Sequence, residues 1–419
     1  MRAECQFAKA GQGLFYNGLI VDQKGRSFSF VYDCGTSSAA TVLKNSVSEY
    51  KKLLDRRLDL LAISHFHQDH VSEIPELIRG LELRTVVIPF VKPELRLLLA
   101  AQYEEIENDD ERISLYNDPA MYFLAHGAES VLIAYGDEGD NEDIDFLGEP
   151  SNDFPQNDDE DEENPNHIFV LGNKNNNTMN LFESGIDEYS GCFNVIAPSY
   201  QWEFRFKNLH SDRLKERFWD DIFKLLEMHN KSFDEILRNK KYIKQLRKIY
   251  VDNFQGGLND TSLILLSRPL QRGCLVDNPS YKRFISKKCI DFDDECLELW
   301  LKCSQASTLL LGDLSIDNKV FYRFFQQLES QRSRLPQVIQ LPHHGAKMKH
   351  HLFYCKPCND AKHRCNLPIT LIASYGIKNG YGHPDLSCYM NCHPGDLFRW
   401  NMNIELVNER KDFSYTIAF

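Results

Sequence analysis

One six-residue segment of the chain carries four side chains of the kind that bind metal ions. His65, His67, Asp69 and His70 follow directly after the apolar run at 60–63. In an extended segment His65 and His67 project from one side, and Asp69 and His70 then turn onto another. Two converging pairs of nitrogen and oxygen ligands predict a hydrolytic centre with two divalent metals. The alternative is a histidine-rich surface turn.

Later segments also place polar side chains at the ends of apolar strands. These are Asp313 after a strand at 308–311, His343 and His344 after one at 338–341, His383 beyond one at 370–373, and Asn259 and Asp260 before one at 261–266. In α/β folds, sites are built at strand ends. Alone, Asp313 could be a helix cap and either adjacent histidine an ordinary strand-end residue. Together with the first segment, the ordered series favours one site.

The elements that must position these residues alternate between strand and helix. Strands are predicted within 14–32 around a turn at 23–25, and at 59–63, 85–88, 261–266, 308–311, 338–341, 370–373 and 414–418. Helices are predicted from Ser37 or Ser38 to about Arg57, from Val71 to Arg79, and from Pro93 onwards. Strand–helix alternation is typical of the α/β class.

Charge is distributed unevenly along the chain. The net charge is −13, yet residues 137–163 alone hold 14 acidic residues and no Lys or Arg, so the remaining body is close to neutral. Residues 205–248 hold 13 basic against 7 acidic residues. We therefore predict that residues 95–255 form an insertion, with an acidic disordered loop at about 136–166 and a basic helical segment at about 205–250. The loop is either an inert surface insertion or a polyanion that competes with substrate for the basic segment.

Composition and hydropathy indicate where in the cell the protein is expected. The chain has 419 residues, of which 42% are hydrophobic, and no apolar run approaches the length that spans a bilayer. The first residues lack the apolar core of a secretion signal, so we expect a cytoplasmic protein without a membrane partner. Its 12 cysteines are then expected to be thiols or metal ligands rather than disulfides.

A second metal site is suggested by cysteine spacing near the C-terminus. The candidate ligands of a structural zinc ion are Cys355, Cys358, Cys365, Cys388 and Cys392. A CxxC pair suits one edge of a tetrahedral zinc site, which the later cysteines could close. The alternative is a group of free thiols in a loop.

The motifs, taken in order, resemble those of the metallo-β-lactamase superfamily, and within it the hydrolase domain of ComEC-type competence proteins. The resemblance rests on Gly11-Gln12-Gly13, Asp33-Cys34-Gly35, Ser64 to His70, Asn259 to Leu263, Leu311-Gly312-Asp313, Pro342 to Gly345 and Tyr381 to Pro384. It implies an αββα sandwich interrupted by the insertion, with residues 1–94 and 256–419 as the two halves of the domain.

The resemblance also implies roles for individual residues. His65 and His67 correspond to ligands of the first metal, and Asp69 and His70 to ligands of the second. Asp313 corresponds to the carboxylate that bridges both, and Asp33 to the carboxylate that orients a ligand. One of His343 and His344 completes a metal shell or meets the substrate phosphate, and His383 serves as a ligand or proton donor.

The chain departs from the family pattern at three places. Leu14 follows the Gly-Gln-Gly motif where Asp is common, and Ser72-Glu73 replaces the usual Gly-Gly. The histidine of the third lactamase motif has no clear equivalent, so His343, His344 or Asp260 is expected to supply that ligand. If they bind no metal, Asn259 and Asp260 are expected to lie next to the ligands and hold them in position.

Three functions remain open from the sequence. The leading hypothesis is a metal-dependent nuclease that cleaves DNA or RNA with two Zn²⁺ or Mn²⁺ ions. Its substrate is then nucleic acid, and a protein partner in a larger complex is a further possibility. An effector of bacterial anti-phage defence is one setting for such an enzyme. The alternatives are a hydrolase of a small ester, lactone or thioester, and a non-catalytic regulatory subunit, against which the full ligand series argues.

Overall fold

The structure of the protein is a computed structural model. It describes residues 1–104, 106–136, 146–150, 166–175, 185–210, 220–225, 231–253, 261–271, 274–277, 306–314, 336–346, 369–380, 382–385 and 402–419.

Sixteen β-strands are present in these described ranges, and they join into one sheet. They are β1 Arg2–Phe7, β2 Gly13–Val21, β3 Ser27–Thr36, β4 Arg57–Ala62, β5 Glu82–Pro89, β6 Ser130–Tyr135, β7 Phe169–Lys174, β8 Ile186–Ala197, β9 Trp202–His210, β10 Thr261–Pro269, β11 Leu275–Asp277, β12 Thr308–Leu310, β13 Val338–Gln340, β14 Ile369–Ser374, β15 Met402–Val407 and β16 Phe413–Ala418.

Eight α-helices have both ends within the described part of the chain. They are α1 Ala40–Lys51, α2 Gln68–Val71, α3 Ile74–Ile78, α4 Pro93–Ala100, α5 Asp110–Asn117, α6 Pro119–Ala125, α7 Phe233–Leu237 and α8 Lys240–Asn253. The mixture of strands and helices confirms the predicted α/β class.

The strand order places the candidate site at the ends of two parallel groups. The order is β11-β16-β1-β2-β3-β4-β5-β6-β8-β9-β10-β12-β13-β14-β15, and β7 pairs with β8. Strands β3 to β6 run parallel to one another, and so do β12 to β15. The carboxyl ends within each parallel group lie along one edge, where binding sites form in α/β sheets.

The two halves of the sheet pack face to face. One buried cluster combines Tyr32 and Leu60 from the first half with Phe204, Leu310 and other residues from the second. On the outer face of the first half, Leu61 of β4 packs with helix residues such as Leu43. Adjacent residues of β4 thus point to opposite cores, as the period of two requires, and the sheet is buried on both faces there.

Two predicted helices are shorter than the sequence pattern indicated. The first begins at Ala40 because the Ser38 hydroxyl, expected to cap it, instead accepts a hydrogen bond from the Gln12 backbone at 2.9 Å. The second, predicted at 71–79, is divided into α2 and α3. The break follows from Pro75, which begins a new helix, and from the Glu73 N–H, which donates to the Cys34 carbonyl at 3.0 Å.

The segment predicted as an insertion contributes to the central sheet. Strands β6, β8 and β9 lie within 95–255 and connect β5 to β10. Most of the acidic stretch lies outside the described residues, but Phe146 and Leu147 inside it are buried. The expectation of disorder is therefore wrong at 146–150, where the Arg205 guanidinium donates to the carbonyls of Phe146, Gly148 and Glu149. The division of the chain at 94 and 255 stays a prediction.

The basic segment contains helices α7 and α8, and residues 220–225 are also helical. Helix α8 buries Ile243 and Leu246 and exposes Lys241, Lys244 and Lys248. These lysines are three and four residues apart, so they share one face.

Among the described residues, no helix combines the length and the apolar character needed to cross a membrane.

A buried ion cluster offers a test of what holds β9 to β10. Glu203 is fully buried and accepts hydrogen bonds from Arg268 at 2.7 Å and Arg205 at 3.1 Å. We predict that Glu203→Ala lowers the free energy of unfolding by about 3–5 kcal/mol, because two buried cations lose their counterion. Urea denaturation measures the change.

Its control is Asp187→Ala, which removes the partner of Lys174 in a pair whose side chains are 36% and 49% exposed. That variant should lose less than about 1 kcal/mol. Similar small losses in both variants would show that the buried cluster contributes little.

Candidate metal centre

The centre is assembled around the buried carboxylate of Asp33 at the end of β3. Its Oδ1 accepts a hydrogen bond from the Ser64 backbone N–H at 2.6 Å, and its Oδ2 accepts one from the Ser64 hydroxyl at 2.6 Å. The same Oδ2 lies 2.7 Å from His70 Nδ1. Asp33 therefore fixes both the start of the histidine segment and the orientation of the His70 ring.

Asp313 meets this segment from the other half of the sheet. His70 Nε2 lies 3.1 Å from Asp313 Oδ1, and His65 Nε2 lies 3.8 Å from Asp313 Oδ2. One candidate ligand atom from each of His65, Asp69, His70 and Asp313 falls within 4.8 Å of the other three. The carboxylate of Asp313 is thus between two histidines, as a bridging ligand must be.

His344 is the member of the His343–His344 pair that faces the centre. Its Nε2 lies 3.1 Å from Asp69 Oδ2 and 3.7 Å from Asp313 Oδ1. Its Nδ1 lies 2.8 Å from the carbonyl of Ser374 at the end of β14. A donor to that carbonyl makes Nδ1 the protonated nitrogen when the ring is neutral, so Nε2, which faces Asp69 and Asp313, is the nitrogen that could bind a metal.

The other predicted histidines surround this cluster. The His67 ring packs edge-on against His65 with centroids 4.8 Å apart. His343 stacks at 5.1 Å from His383, whose ring centroid is also 6.4 Å from that of His344. The structure therefore brings together the predicted ligands His65, His67, Asp69, His70, Asp313, His343 and His344, with Asp33 and His383 beside them.

Burial and opposite charges set the protonation of the cluster. Burial by itself would lower the pKa of His70, but the carboxylates of Asp313 and Asp33 outweigh it and raise that pKa well above its usual value. The pKa of His344 is raised in the same way, mainly by Asp313 and Asp69. For His65, burial and the neighbouring histidines lower the pKa well below its usual value.

The donor set fits a divalent metal. His65 is 3% exposed, and its Nε2 is a buried nitrogen without a hydrogen-bond partner, although three other candidate ligands are close to it. A buried polar atom left unpaired costs about 1–3 kcal/mol, and a metal ion at this position would satisfy it. The residues that would hold metal are all nitrogen and oxygen donors, which suit zinc, manganese or iron.

Several predicted site residues lie outside the described residues. These are Asn259 and Asp260, and the candidate zinc ligands Cys355, Cys358, Cys365, Cys388 and Cys392. Within the described part of the chain, the cysteines are not in disulfides: Cys5, Cys34, Cys192 and Cys274.

Sequence reasoning missed Gln340, the residue that joins the two turns carrying Asp313 and His344. Its Oε1 accepts hydrogen bonds from the N–H groups of Leu311 at 2.7 Å and Gly312 at 2.9 Å. Its Nε2 donates to the carbonyls of Gly312 at 3.2 Å and Leu341 at 2.7 Å. The sequence contained one sign of this role, because Gln340 is a single polar residue at the end of an otherwise apolar strand.

Gly35 and Ser72 shape the segment His65–His70. A Cβ at Gly35 would lie 2.4 Å from backbone atoms of His70, so only glycine permits this close packing. Ser72, which departs from the family pattern, accepts a hydrogen bond from the Thr36 N–H at 2.8 Å and donates to its carbonyl at 3.1 Å. The serine thus ties α2 to the end of β3.

We predict that metal uptake at this centre releases protons. The raised pKa values of His70 and His344 favour the protonated form of both rings in the metal-free protein. Metal binding needs unprotonated Nε2 atoms, so affinity should fall as pH falls. Calorimetry with Mn²⁺ or Zn²⁺ in buffers of different ionisation enthalpy measures the protons, and His344→Ala should release fewer. Heat that does not depend on the buffer contradicts this expectation.

We also predict that Gln340→Ala weakens metal binding by about 10–100-fold, the usual effect of losing a residue that supports the ligands. The variant removes the partner of the Leu311 and Gly312 N–H groups and of the Leu341 carbonyl, so its melting temperature should fall as well. Gln340→Glu keeps the acceptor but sets a buried carboxylate oxygen against the carbonyls of Gly312 and Leu341, so it should lose affinity too. If Gln340→Ala melts earlier but binds metal as the parent does, Gln340 is structural only.

Comparison with known proteins agrees with the site. The model of the metallo-beta-lactamase superfamily matches residues 13–168, which include β2 to β6 and the histidine segment. No curated protein matches the chain. Among solved structures, the chain is similar to a long form RNase Z from yeast, with 7% identity and a TM-score of 0.31, over 88% of this chain and 36% of that one. The chain thus spans about a third of that structure, and a likeness this distant carries no argument here.

The matched residues coincide with the part of the fold that holds Asp33 and the His65–His70 segment. This part of the chain therefore has the fold of the metallo-β-lactamase superfamily.

Proposed function

We propose that the protein is a metal-dependent phosphodiesterase that cleaves nucleic acid with two divalent ions. The observation that carries the proposal is the position of Asp313 between His65 and His70, with Asp69 and His344 close by. In this arrangement His65 and His67 would hold one ion, Asp69 and His70 would hold the other, and Asp313 would contribute to both. His344 would supply the ligand that the missing third-motif histidine would have given.

Two divalent ions supply positive charge that activates water and neutralises the phosphate oxygens. The residues of the chain position the reactants. Asp69, whose carboxylate also meets His344, accepts a hydrogen bond from the attacking water and orients it. Hydrogen bonds and charge from His344 and His70 outweigh burial and lower the pKa of Asp69, so it stays ionised and able to accept.

His383 is the proposed carrier of the proton for the leaving oxygen. Burial, with His343 and His344 nearby, lowers the pKa of His383 to about 4. The ring is therefore neutral near pH 7 and must first take the proton that the attacking water gives up. It then donates this proton to the leaving alkoxide.

The preference for nucleic acid rests on charge outside the centre. The exposed lysines of helix α8, Lys241, Lys244 and Lys248, form one basic face that can contact phosphates. This supports a polyanionic substrate over a small ester or lactone, the alternative substrate class for such a centre. Resemblance to ComEC-type nucleases and a role in anti-phage defence remain proposals from the sequence.

We predict that purified protein cleaves plasmid, single-stranded DNA or RNA in Mn²⁺, Zn²⁺ or Mg²⁺, and that Asp69→Ala lowers kcat by at least about 100-fold because the water loses its orienting carboxylate. Elemental analysis should find about two metals per chain at the centre, and fewer in Asp313→Asn. Circular dichroism of both variants checks that they remain folded.

The control is Lys241→Gln with Lys244→Gln, which should raise KM at low salt and leave kcat unchanged. Hydrolysis of lactones or thioesters by a protein that leaves every nucleic acid intact would instead support the small-ester alternative.

A further inference from the structure

A partly exposed pair of stacked aromatic rings lies at the edge of the sheet where β5 and β6 end. Phe90 follows β5 directly, and Tyr135 is the last residue of β6. Their ring centroids are 4.4 Å apart and their planes differ by 17°. Phe90 is 37% exposed, which is unusual for a large apolar side chain next to a strand that is otherwise buried.

The parallel strands place this pair on the same edge of the sheet as the histidine segment. Strands β4, β5 and β6 pair in parallel, with Ala62 opposite Val87 and Pro89 opposite Ala134, so their carboxyl ends share one edge. The histidine segment follows the end of β4, Phe90 follows the end of β5, and Tyr135 ends β6. Residues at the carboxyl ends of adjacent parallel strands form binding sites in α/β sheets.

Packing and hydrogen bonds fix the two rings on one face of the sheet. Val86 and Ile88 precede Phe90 on alternate positions and pack in the helix-side core, as do Val131 and Ile133 before Tyr135. The Tyr135 hydroxyl donates to Glu188 Oε1 at 3.1 Å, which restrains the ring from behind. The Phe90 N–H donates to the Ala134 carbonyl at 2.8 Å and fixes the backbone beneath the pair.

The charge around the pair decides what it can bind. Glu188 lies against Tyr135, so a phosphate would be repelled there, whereas a flat neutral ring would not. Every nucleobase has such a ring, and stacking on an aromatic side chain is tolerant of base identity. The metal centre, built at the same edge of the sheet, would then take the phosphate.

We propose that Phe90 and Tyr135 form a stacking platform for a nucleobase next to the phosphodiester that is cleaved. This inference rests on the proposed nuclease function and adds a substrate-binding subsite to it. Phe90 presents the open face to the base, and Tyr135 supports Phe90 from the other side. The platform selects a single-stranded or locally unpaired substrate, because a base within a duplex has no free face.

The test compares Phe90→Leu with the parent protein on two single-stranded oligonucleotides. One is complete, and the other carries abasic sites flanking the cleaved position. Phe90→Leu keeps an apolar side chain but removes the aromatic face, so Kd and KM for the complete oligonucleotide should rise about 10-fold, with kcat within about 3-fold. On the abasic oligonucleotide, the variant and the parent should behave alike.

A matched control and a direct probe complete the experiment. The matched control is Phe223→Leu, which makes the same change at a phenylalanine that is 45% exposed and outside the pair, so its affinity for the complete oligonucleotide should stay within about 3-fold of the parent. A 2-aminopurine beside the cleaved position should lose fluorescence on binding to the parent and less so with Phe90→Leu. Thermal melting shows whether each variant is folded.

The outcomes separate the platform from the proposed function. Equal losses by Phe90→Leu on complete and abasic oligonucleotides, or no loss on either, would overturn the platform while cleavage by the parent still supports the nuclease. A parent protein that neither binds nor cleaves nucleic acid overturns the nuclease proposal itself. In that case the two rings only cover each other's apolar surface.

Discussion

The buried line Asp33–His70–Asp313 is the interaction on which the site depends. His70 has no exposed surface, and its two nitrogens lie 2.7 Å from Asp33 and 3.1 Å from Asp313. Burial of these charges is tolerable only because each has an opposite partner. Asp33 belongs to the first half of the sheet and Asp313 follows β12 of the second half. These contacts therefore join the two halves at the carboxyl ends of their strands.

Backbone strain is concentrated where this line meets the later loops. Asp33, His343 and His344 have φ of 60°, 48° and 56°, in a region that costs residues other than glycine about 1–3 kcal/mol each. The hydrogen bonds of Gln340 and the Ser374 carbonyl hold the loops in this conformation. The strain turns His344 towards Asp69 and His343 towards His383, so two adjacent residues serve different parts of the site.

Surface charge and the site suggest how a substrate is oriented. In the proposed nuclease, the basic face of helix α8 would hold phosphates, and the rings of Phe90 and Tyr135 would offer a neutral surface at the same edge of the sheet as the centre. The Tyr116 hydroxyl donates to the Phe66 carbonyl at 2.7 Å within the histidine segment. Arg247 of α8 donates to the carbonyls of Ala101 and Tyr103, and the Tyr103 ring packs against Tyr116. The basic helix is therefore anchored to the metal loop through two aromatic residues.

The sequence by itself determined the ligand types, the α/β class and the strands before Asp33, His65 and Asp313, because a period of two and the residues at strand ends are local patterns. It was wrong where a tertiary contact prevailed, as at Glu73, whose N–H donates to Cys34 within the second predicted helix, and at the Arg205 contacts to 146–150. Only the tertiary structure decided that His344 faces Asp69, that Gln340 joins two turns, and that Phe90 stacks on Tyr135. Those facts depend on register between distant strands and on long-range burial, and no local pattern of residues encodes either one.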